Sequence, residues 1–303
     1  MKKNINKSSL FATIFFTLML FVGVSVMLYP IISDWWNSKV QSRAVANYEV
    51  AVANMDTSKT DKMIERATEY NKKIARLEAP FTNFDRVSGY ETTLNISGTG
   101  IMGYISIPVI QVELPIYHGT SDEVLNIAAG HLEGSSLPVG GVNTHSVISA
   151  HRGLPSARLF TDLDRIEKGD VFTINILDRI YTYETEEILI VEPHEINTLA
   201  IIPNSDYVTL MTCTPYGVNT HRLLIRAHRI ETVYKKEYRV VAEMVKVDPM
   251  LVVPFICLPF VLILVCFWVF GSKPKTRSPR EIANRLLLKD DPEYFKTGLT
   301  NDR

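Results

Sequence analysis

A chain of 303 residues has room for one sizeable domain plus extensions. Its 32 Lys+Arg against 33 Asp+Glu give a net charge of −1, which argues against a nucleic-acid partner, since that demands a clustered basic face. The 46% apolar content is ordinary as an average but unevenly placed.

Residues 1–9 form a basic end carrying Lys2, Lys3 and Lys7. Leu10 to Tyr29 then runs for twenty residues without a charged side chain, so 10–30 is predicted as a transmembrane anchor. About twenty apolar residues in a helix cross the hydrocarbon core. The run is too long for a signal-peptide core and no A-x-A-like site directly follows it, so it reads as uncleaved. Residues 31–79 read as a helical extension in which Met63, Ala67, Tyr70, Ile74 and Leu77 recur at helical spacing, with charged residues between them. Such a stripe packs on a neighbouring domain. Trp35 and Trp36, just past the anchor, suit a membrane interface.

After Pro80 a connecting segment, 80–99, leads into a β-rich domain at 100–232. Short runs at Gly103–Ile107, Ser146–Ala150, Val171–Leu177, Ile180–Thr185, Tyr207–Thr212 and Leu223–Ile230 alternate with turn residues and predict an antiparallel sandwich or barrel. Leu177-Asp178-Arg179-Ile180 reads as a hairpin corner that lacks the favoured glycine. A juxtamembrane linker at 233–248 precedes a second apolar run, Met250 to Phe270, so 249–271 is predicted as a second span. Its Pro254 and Pro259 are tolerable in a membrane helix. The basic tail 272–303 opens with Lys273, Lys275, Arg277 and Arg280. Positive flanks stay cytoplasmic, and two spans return the chain to its starting side. Both termini are therefore expected inside, and about Ile31 to Val247 outside.

Of the three cysteines, Cys257 and Cys266 fall in the second span, which leaves Cys213 alone in the external part. A lone exported cysteine forms no intrachain disulfide and is a candidate reactive thiol. Thr209-Leu210-Met211-Thr212-Cys213 alternates like a half-buried strand, a turn-rich segment follows, and His221-Arg222-Leu223-Leu224-Ile225 resumes a strand. In a hairpin, Cys213 closes one strand and Arg222 opens its neighbour about 4.8 Å away. A guanidinium there favours the thiolate and binds an oxygen that becomes negative during acyl transfer. The missing proton carrier is naturally a histidine. Among seven histidines, His151 sits at a strand-to-loop rim. His145 shares its parity, His131 and His118 lie beside glycines, and His221 points away from Arg222's face. A zinc site from His145, His151 and Cys213 is a rival reading, weakened by the lack of any C-x-x-C or H-x-x-x-H unit.

Thr209 to Arg222, with its T-C-T-P-Y core, resembles the active-site segment of class C, or pilin-polymerising, sortases. Ser149-Ala150-His151-Arg152-Gly153-Leu154-Pro155 resembles the segment bearing their histidine, and Gly134 to Gly141 with Asn143-Thr144-His145 resembles a loop of theirs. The likeness covers about Pro80 to Ile230 and is extended by the paired anchors. It implies a mainly β, sortase-type closed β-barrel with an N-terminal helical extension, flanked by two transmembrane helices. It implies His151 as acid/base, Cys213 as acyl-thioester nucleophile and Arg222 as oxyanion stabiliser. The implied reaction cleaves an LPxTG-like sorting signal of a pilin or surface protein and joins it to a lysine amine of an acceptor pilin. The implied location is the cell membrane, with the catalytic domain extracellular.

Class C members often carry Asp-Pro-aromatic before the barrel as a lid. Here Ala79-Pro80-Phe81 keeps the proline and aromatic without the acid, so Pro80 and Phe81 are the expected lid residues within 80–99. Proline stiffens that approach and biases residue 79 towards an extended backbone. The sequence shows no cofactor or metal motif and names no residue that orients His151. A wall-anchoring housekeeping sortase, a hydrolytic cysteine protease and a non-catalytic assembly factor are the alternatives.

Overall fold

The computed structural model describes residues 7–96 and 98–232. The predicted linker 233–248, the second span 249–271, the tail 272–303 and most of the basic end 1–9 lie outside the described residues. The chain divides into two compact units, and Ser25–Met244 is the one that carries α1 from Ser25 onward, α2 and the barrel.

Helix α1 (Lys7–Ala53) runs unbroken through the expected boundary between anchor and extension, with Pro30 inside it. Within it, Phe15–Ala53 contains a stretch of mean hydropathy 2.2, long and apolar enough to cross a membrane. The extension is helical and comes in two pieces, the end of α1 and a second helix. Asp56 accepts from Ser58 N at 3.2 Å and caps α2 (Thr57–Ile74), whose last turn carries Lys72 and Lys73 against the helix dipole. Of the predicted stripe, Ala67, Tyr70 and Ile74 are buried on the barrel core, with Met63 and Leu77 packed at its edge. Asn71 is buried beside them, and its amide exchanges two hydrogen bonds with the Leu137 backbone, at 2.9 and 2.7 Å.

Eight strands close into a barrel in the order β1-β2-β3-β4-β7-β8-β6-β5. They are β1 Ile101–Ile107, β2 Val112–His118, β3 Ala129–His131, β4 Thr144–Ser149, β5 Val171–Ile176, β6 Arg179–Val191, β7 Asp206–Thr214 and β8 His221–Ile230. The expected barrel is found, but it is not wholly antiparallel. The β2–β3 and β4–β7 pairs are parallel, so each needs a crossover. Inside, Ile105, Ile116, Ile148, Phe172, Tyr183 and Leu210 are fully buried.

The glycine-free β5–β6 corner has a physical cause. Leu177 adopts φ 54, in the left-handed region, and its N–H donates to the Tyr48 hydroxyl of α1 at 2.7 Å. Tyr48 in turn donates to Met102 O at 3.0 Å, so a buried tertiary contact replaces turn propensity.

Candidate active site

Strand β7 alternates as its sequence suggests. Val208, Leu210 and Thr212 are buried on the barrel side, whereas Met211 and Cys213 are half-buried on the outer face. Cys213 stands directly opposite Arg222 in the antiparallel β7–β8 ladder, and Met211 opposite Leu224. Residues facing each other across a ladder share a face, so thiol and guanidinium lie on one outer rim.

His151 arrives from the other side of β7. The parallel register pairs Ser149 with Met211. Ala150 N donates to Met211 O at 3.2 Å, and the Thr212 hydroxyl donates to Ala150 O at 2.8 Å, which carries the pairing beyond β4. The next step sets His151 level with Cys213. Strand β7 thus stands between the His151 and Arg222 segments. Among the described residues none hydrogen-bonds the His151 ring. Arg222 Nη1 donates only to the Asn219 and His221 carbonyls, at 3.4 and 3.2 Å, and no carboxylate among the described residues pairs with it. The remaining donors of its guanidinium have no partner among the described residues.

The other histidines have different work. Burial pushes His145 down to about 4, so its ring is neutral: Nδ1 donates to Ala200 O at 2.9 Å and Nε2 accepts from the Thr209 hydroxyl at 2.7 Å. With both nitrogens committed, His145 has no lone pair for the zinc site weighed from sequence. Burial likewise pushes His131 down to about 4, with Nε2 donating to Ser136 O at 2.9 Å and Nδ1 facing the Tyr90 hydroxyl at 2.9 Å. Both ring nitrogens of His118 lie 2.8 Å from backbone carbonyls, of Gly100 and Thr93. His221 Nδ1 meets the Thr220 hydroxyl at 2.9 Å, and its strand position faces Thr214 rather than Cys213.

Pro80 opens a single helical turn, α3 (Pro80–Asn83), at its favoured first position. Ala79 is left-handed (φ 49, ψ 63), not extended as the following proline suggests, and its carbonyl accepts from Thr82 N and Asn83 N at 3.0 and 3.1 Å. Phe81 packs in an outer-face cluster of Val147, Leu199 and Leu224, with Met211, Leu189 and Val191 around it. Met211 lies two residues before Cys213, and Val191 pairs with Arg222. The close approach needs Gly134, since a Cβ there would meet Pro80 O at 2.7 Å and Phe81 Cα at 2.8 Å.

Arg152 is a residue of the site to which sequence reasoning gave no role. Its side chain is only 9% exposed; it pairs with Asp164, donates to the Thr214 hydroxyl at 3.3 Å and lies over the Tyr216 ring at 5.9 Å. It therefore straps the segment after His151 to the residue after Cys213. A charged residue between a histidine and a glycine was the available signal, and it names no partner. The alternation of Leu210, Met211 and Thr212 likewise gave the outer face of Met211, but not the apolar cluster on it.

A family model described as "Sortase domain" matches residues 105–230. The chain is 49% identical to sortase C1 from Streptococcus agalactiae, over 63% of this chain and 99% of that one, with a TM-score of 0.58. It is 42% identical to the Streptococcus pneumoniae sortase C structure, over 63% of this chain and 97% of that one, with a TM-score of 0.57. Among curated relatives, Sortase A of Streptococcus agalactiae is 30% identical over 135 residues, 44% of this chain, and the chain spans about half (54%) of that relative's length. The chain belongs to the sortase family, within its class C.

Proposed function

We propose that the chain is a membrane-anchored cysteine transpeptidase that polymerises pilins. The observation that carries this is the register around β7, with Cys213 opposite Arg222 on one side and level with His151 on the other. In this reading the Cys213 thiolate attacks the scissile carbonyl of an LPxTG-like sorting signal. The carbonyl oxygen takes the negative charge, and the free guanidinium donors of Arg222 receive it. The tetrahedral adduct collapses as the C–N bond breaks, and imidazolium His151 gives its proton to the departing amine. A thioacyl-enzyme remains.

A lysine amine of an acceptor pilin then attacks the thioester carbonyl. Neutral His151 takes the amine's proton, Cys213 leaves as thiolate, and an isopeptide bond is formed. Splitting the transfer through a covalent intermediate lowers each barrier. Phe81, seated on the cluster beside Met211, acts as a lid over the same outer face. No ion pair fastens it, because Ala79 holds the position of the family's acid. The anchor is the apolar stretch of α1, and we further propose two spans with both termini cytoplasmic and the barrel outside.

The test is intact mass spectrometry after incubation with LPxTG-type peptides, with and without an amine acceptor. The reading expects an acyl adduct on Cys213 that is released as an amide. Release only as free acid, at any amine concentration, makes the protein a hydrolase instead.

A further inference from the structure

Helix α1 does more than leave the barrel behind it. Ser33 Oγ and Asn37 Nδ2 donate to Ser156 O at 3.3 and 2.7 Å, and Arg158 N donates to Asp34 Oδ1 at 2.7 Å. One turn further on, Gln41 Nε2 donates to Ile127 O at 2.8 Å. At the far end Tyr48 holds Leu177 N and Met102 O. Fifteen residues of helix from Ser33 to Tyr48 rise about 22 Å, the height of a small barrel.

These contacts give the helix a direction along the barrel. Leu177 is the β5–β6 turn and Met102 the start of β1, at one end. The other end carries the close of β4 and β7 and the start of β8, where His151, Cys213 and Arg222 gather. Ser156 belongs to the segment after His151, and that segment is fixed at this end. A Cβ at Gly153 would lie 3.0 Å from the Tyr216 ring, and Arg152 reaches Thr214. Gly153 and Ser156 are separated by at most about 10 Å of chain. The Ser25–Ile32 part of α1 therefore projects past the rim bearing Cys213, not past the opposite end.

What projects is apolar. Met27, Tyr29 and Ile32 are all more than half exposed, and within one turn stand Trp35 and Trp36, 59% and 61% exposed. On the same end, the β7–β8 loop presents Tyr216 at 60% and Val218 at 64% exposure. Trp and Tyr with exposed rings favour the headgroup level of a bilayer.

We propose that the rim bearing Cys213 faces the bilayer that α1 crosses, with Trp35, Trp36, Tyr216 and Val218 entering its phospholipid headgroup layer. This rests on reading α1 as a membrane anchor. The occupant of this apolar end is lipid, because Trp35 and Trp36 lie on the same helix as the apolar stretch that needs lipid.

The experiment uses the full chain in vesicles of phosphatidylcholine and phosphatidylglycerol containing a phospholipid with a nitroxide near its headgroup. Trp35, Trp36 and Trp268 are first changed to Phe. Tyr216→Trp, Val218→Trp and Val142→Trp are then made singly; Val142 is 68% exposed beside the start of β4, at the opposite end. Tyr216→Trp and Val218→Trp should lose most of their emission to the nitroxide, and Val142→Trp should keep its own. If the protein floats with the vesicles after an alkaline wash and all three positions respond alike, the orientation is wrong while the anchor stands. If the protein does not float with them, the anchor reading fails and this inference falls with it.

Discussion

Cys213 and Arg222 face each other directly in the β7–β8 ladder, and Arg222 is flanked on its other side by Val191 of β6. The guanidinium thus sits between an apolar neighbour and the thiol, with two carbonyls among the described residues drawing on its donors. Arg222→Lys keeps the charge but not the planar fork. Its turnover in single-turnover acylation should fall by about 10²–10³, the cost of losing an oxyanion donor. Cys213→Ala should give no adduct by mass spectrometry while unfolding at the same temperature as the parent, since the sulfur lies outside the barrel core. An adduct on that variant removes Cys213 as nucleophile.

Phe81 covers part of the outer-face cluster without any charged tie. Burying a phenyl ring stabilises a closed lid by about 1.5–3 kcal/mol, and fixing each backbone residue costs about 1–2 kcal/mol. The two nearly cancel, so on the proposed reading the lid opens as a population shift. Phe81→Ala should speed labelling of Cys213 by a small thiol reagent by about fivefold, equivalent to about 1 kcal/mol. An unchanged labelling rate would reduce Ala79-Pro80-Phe81 to a linker.

Asn71 is the polar centre of the α2 contact with the barrel, donating to Leu137 O and accepting from Leu137 N. Asn71→Ala strands both Leu137 groups in a buried site. Unfolding of the full chain in detergent should show a loss of about 2–4 kcal/mol. Lys72→Ala, one residue on and exposed, should lie within about 0.5 kcal/mol of the parent.

Acid should weaken the fold through His131 and His145, both held neutral by burial and pushed down from 6.5 to about 4. Between those values the unfolded chain binds protons that the folded one does not. The stability they contribute is complete above the unfolded value of 6.5 and is lost as pH falls towards 4. A loss of about 3 kcal/mol for each histidine is the scale of such a shift. Asp206, whose carboxyl is pushed up by burial, opposes this over the lower part of the range. Melting temperatures from pH 7 down to 4.5 should fall, and His145→Asn should flatten the fall; an equal slope in that variant would put the acid sensitivity elsewhere.

The site was more legible in the sequence than the barrel around it. Leu210, Met211, Thr212 and Cys213 alternate, and alternation fixes which side chains share a face before any partner strand is known. The hairpin that brings in Arg222 is local, so spacing sufficed. Strands β2 and β3 were missed because β2 carries Pro115 in its middle and β3 has three residues, too few to show a period. The parallel β4–β7 pairing could not be read either. Period-2 patterns record burial, and burial is the same for either strand direction. Asn71 and Arg152 were passed over because their partners, Leu137 and Thr214, lie 66 and 62 residues away in the chain.

The strap from Arg152 to Thr214 joins points 62 residues apart, and β5 and β6 lie between them. The parallel pairing of β4 with β7 cannot close until that intervening stretch has been laid down. Arg222 comes later still, on the last strand of the barrel. On the proposed topology, a chain threaded outward from its N-terminal helix delivers the histidine first, the thiol long after, and the guanidinium last. Until β8 has zipped onto β7, the thiol stands without the guanidinium that faces it. On the proposed function, assembly order acts as a timer: a chain whose barrel is still open lacks the complete site, and reactivity begins only when the barrel is shut.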